Sequence, residues 1–200
     1  MIAIIDYGAG NIFSVKHALD YLGLANQLTD DKTIIEQADK IILPGVGAFP
    51  SAMKMLEQKG LVSVLKTQAK QKPLLGICLG MQMLFSKGYE FEACDGLDFI
   101  SGVVDKIPAR NLIIPHMGWN KLEIENSCQL LENLGDSPYV YFVHSYQANC
   151  ENNKNLSAWV EYGGKVPAIV SDGKFVFGTQ FHPEKSGEVG LQILRNFANI

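Results

Sequence analysis

The chain has 200 residues, 47% of them apolar and 19% charged, which is enough to bury a sizeable core within one expected domain, 1–200. A formal charge of −4 without any basic run excludes a nucleic-acid or anionic-membrane footprint. Apolar stretches break well before the roughly 18 residues of a membrane span, and the first residues lack the basic flank of a signal peptide, so a cytoplasmic protein is expected.

In chain order, residues 2–5 (IAII) read as a buried strand and 11–22 as a helix. Between them, DYGAGN (6–11) lacks the third glycine of a dinucleotide fingerprint. Residues 40–43 predict the next strand, followed by the glycine-rich LPGVGA (43–48) and a helix over 49–56. That loop has no Lys-Ser/Thr pair of a P-loop. At the carboxyl end of a parallel strand it can instead offer a backbone N–H to an oxyanion. A helical pattern over 61–69, a strand over 74–77 and a helix over 81–85 continue the alternation. The rhythm predicts an α/β fold whose mostly parallel sheet has helices on both faces.

Cys78 lies in GICLG (76–80), where this strand turns into the helix. The spacing is that of a nucleophile elbow, in which glycines two residues either side allow close backbone approach. There a thiolate would benefit from free N–H groups and the helix dipole, and the N–H of Leu79 would face an oxyanion. A buried cysteine between two helix-packing glycines explains the motif alone equally well. Cys94, Cys128 and Cys150 show no C-x-x-C spacing, which argues against zinc and against a redox pair. His17 falls in a helical pattern, and His116 and His144 lack metal-ligand spacing, so no metal is expected.

After Gly96 strand-like runs follow closely at 99–104, 121–124, 139–143, 156–161, 168–170 and 175–180. Gly163-Gly164 and Asp172-Gly173 mark turns between the last three, which predicts an antiparallel β-meander, and a helix over 187–198 follows. TQFHPE (179–184) adds a second reactive group. Pro183 favours an extended His182, with Glu184 two residues on and pointing to the same side. Glu184 can then fix the tautomer of His182, and His182 can serve Cys78 as general base.

These stretches together resemble the class I glutamine amidotransferases, with an elbow cysteine and an H-P-E motif. Within that family the glutaminase subunits of imidazole glycerol phosphate synthase are most similar, on PGVGAF, PHMGWN (115–120), YFVHSY (141–146), FHPEKS (181–186) and DYGAGN. The resemblance covers essentially the full length. It implies a flavodoxin-like central mixed, mostly parallel sheet flanked by helices, with the meander added. It implies Cys78 as nucleophile, His182 as acid/base and Glu184 as its orienter. Val46, Gly47 and Leu79 match the oxyanion region, while Gln82, Glu90, Ser145 and Tyr146 match positions that hold L-glutamine. Asn11, Met117, Trp119 and Lys185 match the face toward a (β/α)8-barrel cyclase, the partner of a heterodimer. The implied chemistry is hydrolysis of glutamine through a cysteine thioester. The ammonia passes to the cyclase, which converts the phosphoribulosyl intermediate PRFAR to imidazole glycerol phosphate and AICAR in histidine biosynthesis. No cofactor is implied.

Two other readings predict different behaviour. A glutaminase half of another synthase would lack PHMGWN and PGVG. A stand-alone Cys-His-Glu amide hydrolase would be fully active alone.

Overall fold

The computed structural model describes residues 1–108 and 112–200. The first half holds β1 (Ile2–Ile5), α1 (Ile12–Tyr21), β2 (Asn26–Thr29), α2 (Lys32–Gln37), β3 (Lys40–Gly45), α3 (Phe49–Gln58), α4 (Leu61–Gln68), β4 (Leu74–Cys78) and α5 (Leu79–Gln82). After α5 come β5 (Phe85–Gly88), β6 (Cys94–Asp95), β7 (Ile100–Lys106), β8 (His116–Lys121), β9 (Glu123–Ile124), β10 (Tyr139–His144) and β11 (Tyr146–Cys150). The chain continues through β12 (Leu156–Glu161), β13 (Lys165–Ser171), β14 (Val176–Thr179) and α6 (Gly187–Asn199).

The main sheet has the order β2-β1-β3-β4-β14-β13-β12-β9. Its first five strands run parallel, and β13, β12 and β9 pair antiparallel. This is the expected mixed sheet with its meander. IAII in β1 and LLGIC in β4 are buried throughout, as parallel strands covered on both faces must be. One apolar cluster joins Ile5, Leu43 and Leu74 to Ile35, Leu56 and Leu65 of α2, α3 and α4. The other joins Ile4, Leu75 and Phe177 to Leu19 of α1 and Phe197 of α6. Buried residues recur at helical spacing in the longer helices, as Phe49, Ala52, Met53 and Leu56 do in α3, so each presents one stripe to the sheet.

Several elements differ from expectation. The helix expected at 81–85 instead begins directly at the elbow and ends at Gln82, and Phe85 opens β5. An apolar run this short carries no period of its own, and pairing with β7 decides its state. The strand expected at 121–124 is divided, because Lys121 closes β8 and Glu123–Ile124 forms a separate two-residue strand. β2 and α2 were not legible, nor were β8 and β11. Those last two belong to smaller sheets, β10-β8 and β11-β7-β5-β6, which lie outside the main sheet.

Candidate active site

β4 lies between β3 and β14, with Gly45 opposite Cys78 and Thr179 opposite Ile77. The loop after β3, the elbow after β4 and the segment after β14 therefore leave the sheet side by side at its carboxyl end. Cys78 adopts φ 56 and ψ −111, a left-handed conformation that costs a non-glycine residue about 1–3 kcal/mol. The flanking glycines are sterically required. A Cβ on Gly76 would come within 2.6 Å of the Gly80 carbonyl oxygen, and one on Gly80 would drive into the Leu43 carbonyl. Gly45 is equally confined, with its Cβ position 2.8 Å from the Gly80 nitrogen and 2.9 Å from the Tyr7 hydroxyl.

His182 is extended, with φ −96 and ψ 99, as Pro183 requires. Its Nδ1 lies 2.8 Å from Glu184 Oε1. Glu184 reaches it from a 3-10 turn over Pro183–Lys185 and not from a continuing extended segment, so the pairing stands but its geometric reason changes. A carboxylate on Nδ1 holds the proton there and leaves Nε2 for the sulfur. Burial works to lower the pKa of His182. Hydrogen bonds with Cys78 and Glu184, and the negative charges of both, outweigh it and raise the pKa to about 10. An imidazolium beside Cys78 is thereby favoured at neutral pH.

A cavity of about 270 Å³ opens on this pair. Cys78, His182, Val46, Gly47, Leu79, Gln82, Glu90, Ser145 and Tyr146 all line it, together with Val143 and His144. Glu184 stands behind His182, its side chain 1% exposed. Gly47 has φ 103, open to glycine and costly for other residues, so the backbone of the Val46-Gly47 loop takes a conformation its sequence specifically allows. Glu90 has a second task, because its Oε2 accepts the Phe49 N–H at 2.8 Å at the start of α3. Among the described residues no group of His, Cys, Asp and Glu is arranged to hold a metal.

Of the expected partner-facing residues, Met117 pairs with the cavity-lining Val143. Met117 and Trp119 alternate along β8 with 60% and 54% exposure, and Trp119 meets Tyr141 of β10 edge-on at 6.0 Å. Lys185 is exposed in the turn after Glu184, and that turn is tied to β10 by the Tyr141 N–H donating to Ser186 Oγ at 3.0 Å. Asn11 precedes α1 and accepts from Ser14 Oγ at 2.8 Å. Its neighbour Gly10 approaches Gly45, the Cβ position of Gly10 being 3.6 Å from the Gly45 Cα.

Sequence reasoning missed Tyr7 and Gln180. The buried Tyr7 hydroxyl donates to the Pro44 carbonyl at 2.9 Å, and burial followed by the nearby Cys78 charge raises its pKa. Gln180 is fully buried, and its Nε2 lies 3.9 Å from Cys78 Sγ. Its position two residues before His182 was the available signal, since alternate residues of an extended segment face one side. The thiolate support expected from the helix dipole is weaker than foreseen, because α5 is a single turn and sums few peptide dipoles.

Residues 3–200 match the family described as Glutamine amidotransferase class-I. The chain is 53% identical, over all of its own length and 95% of the relative's, to imidazole glycerol phosphate synthase subunit HisH of Bacillus mycoides (strain KBAB4). It is 52% identical over the same shares to the protein of that name from Bacillus thuringiensis (strain Al Hakam). Among solved structures, a glutamine amidotransferase crystal structure superposes with a TM-score of 0.76 at 20% identity, covering 100% of both chains. PurLQS from Thermotoga maritima gives 0.74 at 20% identity, covering 99% of this chain and 97% of that one. At such identity these two likenesses concern the fold alone.

Proposed function

We propose that this chain, which belongs to the class-I glutamine amidotransferase family, is the glutaminase subunit of an imidazole glycerol phosphate synthase and works through Cys78, His182 and Glu184. The observation that carries the reading is a cysteine at a left-handed elbow sharing one cavity with a histidine paired to a buried carboxylate.

L-Glutamine enters with its side-chain amide carbon toward the Cys78 sulfur. Gln82, Glu90, Ser145 and Tyr146 line the cavity where its amino-acid end would be held. The thiolate adds to the amide carbon, and the oxygen takes up negative charge facing the N–H of Leu79 and the Val46-Gly47 backbone. His182, already inclined to carry a proton, donates it to the departing nitrogen, and ammonia leaves. Water activated by the now neutral His182 attacks the thioester carbonyl, releasing glutamate and restoring the thiolate. Glu184 holds the ring throughout both steps. None of these steps calls for a cofactor.

The receiver of the ammonia is a (β/α)8-barrel cyclase that turns PRFAR into imidazole glycerol phosphate and AICAR. The exposed Met117 and Trp119 beside the cavity, with Lys185 next to the catalytic turn and Asn11 near the Gly45 loop, support docking there. Four free cysteines, one of them the nucleophile, suit the reducing cytoplasm. No helix among the described residues is long and apolar enough to cross a membrane.

The test is glutamate release from glutamine by the purified chain, alone and with a histidine-pathway cyclase plus PRFAR, against Cys78→Ala as blank. Release that is strongly stimulated by the cyclase and absent from Cys78→Ala is the expected result. Full activity without the cyclase would instead favour the stand-alone hydrolase.

A further inference from the structure

The single-turn α5 leaves open what stabilises the nucleophile besides His182, and the buried polar groups behind the cavity supply a donor. Tyr146 presents its backbone carbonyl to two side chains, accepting from Gln82 Nε2 at 3.0 Å and from His144 Nδ1 at 2.8 Å. A carbonyl can only accept, so the atom that Gln82 turns toward it must be the amide nitrogen. That nitrogen donates its second hydrogen to Gln180 at 3.0 Å, which fixes the receiving atom as Gln180 Oε1. The Gln180 Nε2 is thereby turned to the side of Cys78 and points one of its two N–H groups at Sγ, 3.9 Å away. One backbone carbonyl thus orients two amides and aims an N–H at the sulfur.

The chain extends outward as well. Burial, followed by the neighbouring histidine charges, drives the pKa of His144 down to about 3, so its ring is neutral and its Nε2 accepts from His116 Nδ1 at 3.0 Å. His116 is itself clamped between Phe142 and Tyr162, with ring centroids 4.8 and 3.9 Å away. Every side chain from His116 to Gln180 is buried, so the amides have little freedom to turn over.

We propose that Gln180 is a positioning residue for the nucleophile: its side-chain N–H, aimed by Gln82 and the Tyr146 carbonyl, holds and stabilises the Cys78 thiolate. The proposal rests on Cys78 being the glutaminase nucleophile. It gives the histidines of PHMGWN and YFVHSY a task that the triad alone does not require.

The test follows alkylation of Cys78 by iodoacetamide as a function of pH, read by mass spectrometry, in the wild-type chain and in Gln180→Met. Methionine matches glutamine in length and lacks the donor. Alkylation of the variant at neutral pH is expected to fall roughly tenfold, with its midpoint moved to higher pH, as for a lost hydrogen bond to a charged acceptor. A wild-type measurement guards against a variant that fails to fold. The Gln180 side-chain amide proton resonances should titrate with the alkylation midpoint and stop doing so in Cys78→Ala. A folded Gln180→Met with a wild-type alkylation profile overturns the proposal, as do amide resonances indifferent to Cys78 ionisation. Glutamate release by the wild-type chain with its cyclase is scored separately. Turnover with an unshifted alkylation profile removes only the donor role, and a shifted profile without turnover removes only the glutaminase reading.

Discussion

At Cys78 the ordinary ranking of residue stabilities should invert. Its φ of 56 is one that alanine pays for and glycine does not. Among inactive variants, Cys78→Gly is expected to be more stable than Cys78→Ala by about 1–3 kcal/mol in urea unfolding. Equal stabilities would show that the elbow carries no strain. The two histidines of the cavity bind protons in opposite senses. His182, with its pKa raised to about 10, favours the folded state fully below its unfolded value near 6.5, and that contribution fades as pH rises toward 10. For His144, lowered to about 3, the folded state binds fewer protons than the unfolded chain between 3 and 6.5, so stability falls as pH drops through that window. Unfolding midpoints measured against pH should therefore peak near neutrality. His144→Gln should flatten the acid limb by up to about one proton, and His182→Gln the alkaline limb. An acid limb unchanged in His144→Gln would remove His144 as its source.

The elements around the elbow are set by contacts too close for any side chain. Gly80→Ala pushes a methyl group into the Leu43 carbonyl and should cost about 3 kcal/mol or more, read as a lowered urea midpoint. Wild-type stability would mean that β3 and α5 can separate enough to admit a methyl group. Tyr7, two residues beyond β1, acts on the same junction. Tyr7→Phe leaves the Pro44 carbonyl without its donor and should lower glutaminase kcat roughly fivefold while Cys78 alkylation stays as in the wild type. Those elements also mark where the sequence was legible. β1, β3 and β4 carry apolar runs of strand length, and the paired glycines at 76 and 80 announced the turn between β4 and α5. β2 was not readable, because Asn26-Gln27-Leu28-Thr29 is a mostly polar edge strand that only pairing with β1 defines. The six-residue α2 has too few turns to show a period, although Asp31 caps it through the Thr33 N–H at 2.8 Å. Gln180 escaped because its partners are 98 and 102 positions away, which left its spacing to His182 as the one local signal.

Across the whole molecule, residues from three distant stretches meet at the carboxyl end of the central strands, and the exposed Met117 of β8 pairs with Val143 of the cavity wall. Trp119→Ala removes an aromatic anchor from that face. It should weaken cyclase binding roughly tenfold or more in a titration, with Cys78 alkylation in the isolated chain unchanged. Undiminished binding would exclude β8 from the interface. The position of β14 has a consequence in time as well as in space. It is among the last strands to be synthesised, yet it lies between β4 and β13 in the middle of the sheet. A nascent chain that has emerged only as far as β13 carries its thiol but not its histidine, and β4 still has an open edge. Cys78, the proposed nucleophile, is therefore made about a hundred residues before His182, its proposed base. With the proposed triad, the catalyst is assembled only once β14 and the segment after it join the sheet, so a polypeptide that has emerged only as far as β13 is unable to consume glutamine.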